Sequence, residues 1–242
     1  MTVAFLAFPL LPVRALIPLA AGAAAVAPVG RKLRATAAFH LACVACLLFA
    51  TLGFSSWLTW PLPLAVAIAG YLAVTSRLGE GTFVREWLRR GRWDRGMLAW
   101  IAVTAIIPAV ALVLWFELTH PDYSHLRGTI LPPWPIPVLA LGVVLFSIVN
   151  AALEELVYRG VLLHALDTSI KSRHLALVIQ ALAFGIAHIH GFPRGITGVA
   201  LVFIYGIMMG IVRRIAGGML APWLAHIFAD VTIGAILLVN VV

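Results

Sequence analysis

Residues 136–162 read IPVLALGVVLFSIVNAALEELVYRGVL, and no charged residue occurs in this stretch before Glu154. A helix needs about 20 predominantly apolar residues to cross the hydrocarbon core of a bilayer. The stretch satisfies this length with a few residues to spare. We therefore predict a spanning helix near 136–167, with Glu154, Glu155 and Arg159 inside the span.

Apolar blocks of the same kind occupy the whole chain. Of its 242 residues, 63% are hydrophobic and 11% are charged, whereas soluble domains carry about 25% charged residues. The predicted spans lie near 3–27, 36–54, 60–76, 96–117, 136–167, 174–190, 195–212 and 217–240. The predicted fold class is all-α, a polytopic transmembrane helix bundle of about eight spans. N-terminal helices occupy 1–134 and a second group occupies 135–242.

The net charge of +8 is distributed unevenly along the chain, since 14 of the 17 Lys and Arg residues lie in or beside the odd-numbered loops. Basic loops mark the cytoplasmic side of membrane proteins. Membrane topology therefore explains the positive charge, and the expected partner is the lipid bilayer, with no nucleic acid. Both termini are expected outside the cytoplasm, in a bacterial inner (plasma) membrane. In the basic loop 77–95, Phe83, Trp87 and Trp93 recur at near-helical spacing, which indicates an amphipathic helix on the inner leaflet.

Ionisable residues inside a span are costly and are by default functional. Glu155 and Arg159 are four residues apart, with the acid nearer the N-terminus, which favours an ion pair along one helix face. Glu154 points about 100° away and is expected to lack a local partner. An unpaired carboxylate in a site of low dielectric constant is a candidate proton acceptor. The hypothesis is therefore that Glu155–Arg159 is structural and Glu154 is chemical.

Two later spans bring further polar residues to a similar depth. At 1.5 Å per residue, Glu154 and His188 both lie roughly 20 Å above the turn at 168–173. His226 and Asp230 lie roughly 14 and 20 Å above the start of the last span. Phe184 shares a helix face with His188, as His226 does with Asp230. Asp230 is expected to accept a hydrogen bond from His226 and to determine its tautomer. The alternative is that each histidine only bonds a neighbouring helix in packing.

Glycines recur in the predicted seventh span and allow a neighbouring helix to approach closely. They are Gly195, Gly198, Gly206 and Gly210. The contact could lie within the bundle or at a dimer face, and packing within the bundle is the favoured interpretation.

Three motifs occur in order on successive apolar helices: E-E-x-x-x-R at 154–159, F-x-x-x-H at 184–188 and H-x-x-x-D at 226–230. Together they resemble the CPBP family, which contains the CAAX-type prenyl endopeptidases and the bacterial Abi-type intramembrane proteases, some of them myxosortase-like. The resemblance covers roughly residues 135–240. It implies a glutamate-type intramembrane endopeptidase that acts on a membrane-associated protein or peptide, with C-terminal processing of an exported or lipidated protein as one possibility.

The resemblance also implies roles for single residues. Glu154 would activate water with help from His188, and His226 with residue 230 would stabilise the oxyanion, while Glu155, Arg159 and Phe184 support them. Many members have Asn at the last position, where this chain has Asp230. An ionised Asp cannot donate to an oxyanion, so Asp230 is expected to orient His226 instead.

Two questions stay open at this point. A zinc ion could be held by Glu154, His188 and His226, but the chain contains no H-E-x-x-H, and a site without metal or other cofactor is favoured. The activity itself has two rivals: a non-catalytic immunity or maturation partner that binds peptides, and a transporter with a buried proton relay.

Overall fold

The computed structural model describes residues 62–77, 79, 84–127, 132–169 and 171–241. The spans predicted near 3–27 and 36–54 lie outside these residues. The described chain is all-helical. Its helices are α1 (Leu62–Arg77), α2 (Val84–Trp87), α3 (Arg95–Thr119), α4 (Ile136–Glu155), a π-helical segment (Leu156–Leu162), α5 (Leu163–Ser169), α6 (Arg173–Ala187), α7 (Gly195–Ala216) and α8 (Leu220–Val241).

Four of the described helical segments are long and apolar enough to cross a membrane: Arg95–Thr119, Ile136–Thr168, Gly195–Ala216 and Leu220–Asn240. The sequence predicted six spans within this part of the chain, so the count of about eight is not confirmed. The shortfall includes α6, which is apolar but has only 15 residues. At 1.5 Å per residue it extends about 22 Å, less than the roughly 30 Å of a hydrocarbon core. The chain is an integral membrane protein.

Local signals explain where the long helices begin and end. The carboxylate of Asp94 accepts a hydrogen bond from the Met97 N–H at 2.9 Å and caps α3. That bond, together with the one from Arg92, holds the pKa of the Asp94 carboxyl below its ordinary value. The Ser172 hydroxyl caps α6 in the same way. Gly217 ends α7 in the left-handed conformation with φ +63°, where glycine carries no Cβ penalty.

Glycines let the helices of the bundle approach each other closely. A Cβ at Gly206 would lie 3.0 Å from the Ala181 Cα, and one at Gly210 would collide with Leu177. Both contacts join α7 to α6, so packing within the bundle is confirmed for these two glycines. A Cβ at Gly198 would collide with Pro193, whereas one at Gly195 would meet nothing within 4 Å. On the other side of the molecule, a Cβ at Gly234 of α8 would collide with Val143 of α4. Glycines therefore bring α7 close to α6 and α8 close to α4.

The segment between α1 and α3 differs from its prediction. Between the end of α1 at Arg77 and the start of α3 at Arg95, the described residues are helical only at Val84–Trp87. The Trp87 ring is buried and stacks on Tyr71 with ring centroids 5.9 Å apart, and it also lies against Gly160. Trp87 therefore packs into the core, while Phe83 lies outside the described residues. Trp93 remains exposed, beside Arg90.

The basic loops meet at one end of the bundle. The Arg92 N–H donates to the Ala216 carbonyl at 2.8 Å, and Arg214 pairs with Asp167 at 2.8 Å. At the opposite end the Tyr123 hydroxyl donates to the Gly191 carbonyl at 3.3 Å. The loops that the sequence assigned to one side of the membrane are therefore neighbours in space where the structure describes them.

Candidate active site

The site begins where α4 widens into the π-helical segment. Leu163 N–H reaches back to the carbonyl of Tyr158, five residues earlier, and such wide turns inside helices are frequent at functional sites. Glu154 and Glu155 are the last residues of α4, and Arg159 lies within the π-helical segment. The change in helix geometry therefore falls between Glu155 and Arg159.

The predicted ion pair between Glu155 and Arg159 is present. Arg159 Nη1 donates to Glu155 Oε1 at 2.9 Å, and neither side chain has any exposed surface. The same Glu155 oxygen accepts from His226 Nδ1 at 2.7 Å. Removing one member of a buried charge pair costs about 3–5 kcal/mol because the other charge stays buried without a partner. Glu155 therefore links the π-helical segment to α8.

The orientation of His226 is set by Glu155 and not by Asp230, which corrects the prediction. The distance from His226 Nε2 to Asp230 Oδ1 is 3.6 Å, too long for a hydrogen bond. The four-residue spacing does place the two side chains on one face. Glu155 is nevertheless closer, because α4 and α8 pack directly against each other.

Glu154 has partners, so the expectation that it lacks a local one was wrong. Its Oε1 accepts a hydrogen bond from Asn150 Nδ2 at 3.2 Å, and its Oε2 lies 3.5 Å from His226 Nε2. The Oε2 atom is buried and makes no hydrogen bond to any residue that the structure describes. Glu154 thus presents one engaged oxygen and one whose hydrogen-bonding capacity is unused.

Sequence reasoning missed Asn150. Its amide nitrogen donates to Asp230 Oδ2 at 3.0 Å as well as to Glu154, and so joins two acids on different helices. The available signal was the spacing: Asn150 precedes Glu154 by one helical turn in an otherwise apolar stretch. A search restricted to ionisable residues passes over an amide.

His188 follows the last residue of α6 and lies against Phe184. Its Nδ1 is 2.9 Å from the Phe184 carbonyl oxygen. Because a carbonyl only accepts, Nδ1 carries the proton, and the Nε2 of the neutral ring is an acceptor. The Phe184 ring lies edge-on to the rings of His188 and His226, with centroids 4.8 and 5.8 Å away, and under the Arg159 guanidinium at 4.3 Å. Phe184 therefore fills the space between the histidines.

A cavity of about 80 Å³ opens beside this cluster, lined by residues of α3, α6, α7, α8 and the loop after α6. Its polar wall consists of His188, Tyr205, His226 and Asp230, and its remaining lining is apolar. Glu154 is not among the described residues that line it; it contacts His226 behind that wall. The seven residues singled out from the sequence thus form one contiguous cluster. Four of them line the cavity: His188, His226 and Asp230 with polar groups, and Phe184 with an apolar ring.

Metal binding has no preformed site in the described part of the chain. No three His, Cys, Asp or Glu side chains among those residues are grouped so that they could hold one ion. Glu154, His188 and His226, the alternative zinc ligands, are therefore not grouped as a three-ligand site. The donors of the cluster instead bond to one another.

One segment of the chain matches a known protein family. Residues 135–232 match the family described as type II CAAX prenyl endopeptidase, Rce1-like. No curated protein and no solved structure matches the chain. The matched segment begins at the start of α4 and contains all three motifs and the contacts among them. Residues 135–232 are therefore similar to the Rce1-like family of type II CAAX prenyl endopeptidases, a family of proteases.

Proposed function

We propose that the chain is an intramembrane endopeptidase that hydrolyses a peptide bond in a membrane-associated protein. The observation that carries this proposal is the Glu154 Oε2 atom, a buried carboxylate oxygen with unused acceptor capacity, 3.5 Å from a histidine beside an apolar cavity. A carboxylate in such a place is suited to take a proton from water. The similarity of residues 135–232 to a family of endopeptidases supports the same reaction class.

In the proposed reaction, Glu154 accepts a proton from a water molecule whose oxygen bonds to the scissile carbonyl carbon. The carbonyl π electrons move to the oxygen, and His226, held at Nδ1 by Glu155, stabilises that charge. The C–N bond then breaks, and the leaving nitrogen takes the proton that Glu154 accepted. His188 assists as an acceptor through Nε2, because its Nδ1 proton is engaged by Phe184. No metal takes part in this scheme.

The cavity also suggests what the substrate looks like. Its walls are mostly apolar, and Ile107 and Ile204 on its rim are more than half exposed at a face that meets lipid. The substrate is therefore a segment that approaches through the hydrocarbon region, such as a hydrophobic or lipid-modified C-terminus. The cavity includes Phe192 and Pro193 from the loop opposite the basic end of the bundle. This position favours processing of an exported protein.

The test compares the N- and C-termini of membrane and secreted proteins in cells that carry the wild type, Glu154→Gln or Glu117→Gln. Gln retains the shape of the side chain and removes the base. Glu117 is an exposed carboxylate on α3 outside the cluster and is the matched control. We expect one or a few proteins to remain uncut only with Glu154→Gln, since loss of a general base slows a reaction about 10²–10⁴-fold.

Identical termini in all three strains, with equal amounts of folded protein, would instead favour the non-catalytic peptide-binding protein. A separate experiment tests whether the reaction needs a metal. Purified wild type dialysed against EDTA should keep its cleavage rate on the peptide spanning the identified cut. Loss of activity that returns with zinc would overturn that part of the proposal.

A further inference from the structure

The four polar side chains in the cavity wall differ in what they can offer a substrate. An oxyanion needs a hydrogen-bond donor. Asp230 is an acceptor in its ionised form, and its Oδ2 already receives a hydrogen bond from Asn150. His188 in its neutral form presents an acceptor, because its proton is on Nδ1 and bonds to the Phe184 carbonyl. Neither group supplies a donor to the cavity in these states.

His226 is engaged from both sides. Its Nδ1 donates to Glu155 at 2.7 Å, while its Nε2 faces Glu154 Oε2 at 3.5 Å and Asp230 Oδ1 at 3.6 Å. Because Nδ1 carries a proton, Nε2 carries one only in the imidazolium form, and that proton is drawn toward two carboxylates as well as toward any bound carbonyl oxygen. His226 on its own therefore shares its Nε2 hydrogen bond between the carboxylates and the bound carbonyl oxygen.

Tyr205 of α7 is the fourth polar residue of the wall. Its hydroxyl oxygen is buried and has no hydrogen-bond partner among the residues that the structure describes. Its ring lies perpendicular to the His226 ring, with centroids 5.6 Å apart and an interplanar angle of 87°. A buried hydroxyl without a partner is unfavourable and calls for an explanation. A phenol is also a neutral donor at physiological pH, so it needs no adjacent charge to act.

We propose that Tyr205 is a catalytic residue whose hydroxyl donates a hydrogen bond to the scissile carbonyl oxygen and strengthens that bond as negative charge develops. This inference rests on the proposed endopeptidase function. The phenolic proton remains on Tyr205 throughout, so the proton balance between water, Glu154 and the leaving nitrogen is unchanged. Tyr205 and His226 then share the oxyanion, with His226 oriented by Glu155.

The experiment measures kcat and KM of wild type, Tyr205→Phe, Tyr71→Phe and Glu154→Gln on the peptide spanning the cut found in the comparison of termini, in lipid–detergent micelles. Removing one oxyanion donor lowers kcat about 10²–10³-fold. We expect a kcat loss of about 100-fold for Tyr205→Phe, with KM and the thermal midpoint close to wild type. Tyr71 is a buried tyrosine outside the cavity lining, and its variant should retain full kcat.

The outcomes separate this inference from the function beneath it. If the wild type cleaves nothing, the endopeptidase proposal fails and this inference fails with it. If the wild type is active, Glu154→Gln is inactive and Tyr205→Phe matches the wild type, only the role of Tyr205 is overturned. A rise in KM with unchanged kcat would also overturn it, since that is the signature of uniform binding.

A second substitution covers the case in which Tyr205→Phe unfolds. Difluorotyrosine placed at position 205 keeps the ring and the hydroxyl but loses its proton at lower pH. Because a phenolate cannot donate, kcat should fall at a lower pH on the alkaline side than in the wild type. An alkaline limb that coincides with the wild type would overturn the proposal.

Discussion

At residue 150 a single amide nitrogen lies between two acids, 3.2 Å from Glu154 Oε1 and 3.0 Å from Asp230 Oδ2. Two carboxylates at close range in a low-dielectric interior repel each other, and unpaired buried charges are costly. The two amide protons of Asn150 can satisfy one oxygen of each acid at once. The acidic side chains of the cluster are therefore stabilised by the neutral amide of Asn150 as well as by the charged Arg159.

This arrangement predicts a graded response at position 150. Asn150→Ala leaves two acceptors without a donor, and hydrogen bonds to charged groups are worth about 1.5–3 kcal/mol each. We expect kcat/KM to fall by about 10- to 100-fold, the equivalent of one such bond. Asn150→Asp should be worse, because it replaces the donor by a further acid. Kinetics on the cleaved peptide, with thermal unfolding alongside, measure both effects.

The control for that series is Asn240→Ala. Asn240 also lies on a helix, and its amide donates to the carbonyl of Ile236 within the same helix. It should change neither activity nor stability appreciably. Wild-type kinetics for Asn150→Asp would show that the amide has no part in separating Glu154 from Asp230.

At the scale of elements, the contact between α6 and α7 determines where Phe184 and His188 lie. Gly206 brings the two backbones together, with its Cβ position 3.0 Å from the Ala181 Cα. A backbone atom cannot yield as a flexible side chain does, so a larger residue must push the helices apart. Because α6 carries Phe184 near its end and His188 directly after it, such a displacement is transmitted to the site.

We therefore expect Gly206→Leu to destabilise the protein by about 1–3 kcal/mol, as overpacking does, and to lower activity with it. Scanning fluorimetry of the purified protein in micelles gives the shift in thermal midpoint. Gly142→Leu on α4 is the matched control, because a Cβ at Gly142 meets nothing within 4 Å. Equal midpoints for the two variants would mean that the α6–α7 contact is not as close as described.

The helices also show which features can be predicted from the apolar pattern of the sequence. The predicted spans near 96–117, 195–212 and 217–240 correspond to α3, α7 and α8 with only small differences at their ends. Length and apolar character are properties of a continuous segment, so they can be read without knowing the neighbours. The same reasoning misplaced Trp87. Its ring packs against Tyr71 and Gly160, and both of these lie far from it along the chain. An aromatic residue on a basic loop is equally compatible with a lipid surface and with a buried pocket.

Across the whole molecule, the basic loops gather at one end and the cavity lies toward the other. The Arg92–Ala216 hydrogen bond and the Arg214–Asp167 pair join the end of α7 to segment 88–94 and to α5. At the opposite end, Trp115 Nε1 donates to Thr197 Oγ1 at 3.1 Å. If the basic end faces the cytoplasm, the cavity lies in the outer half of the membrane.

Orientation can be measured with single-cysteine variants after Cys43 and Cys46 are replaced by alanine. Lys171 and His190 are exposed at opposite ends of the bundle. A membrane-impermeant maleimide should label His190→Cys in right-side-out vesicles, and Lys171→Cys only after permeabilisation, because basic loops are retained in the cytoplasm. The reverse pattern would place the cavity nearer the cytoplasm and would favour cytoplasmic substrates.

The sequence by itself determined the fold class of the second half, the set of ionisable residues inside the membrane and their membership of one cluster. Those inferences rest on the cost of placing polar groups in lipid, which depends on residue type and depth alone. Only the tertiary structure decided that Glu155 and not Asp230 holds His226, that Asn150 joins Glu154 to Asp230, and that Tyr205 completes the cavity wall. Hydrogen-bond partners are selected by differences below 1 Å, as between 2.7 Å to Glu155 and 3.6 Å to Asp230. Such differences follow from how the helices rotate and pack, and spacing along one helix does not specify them.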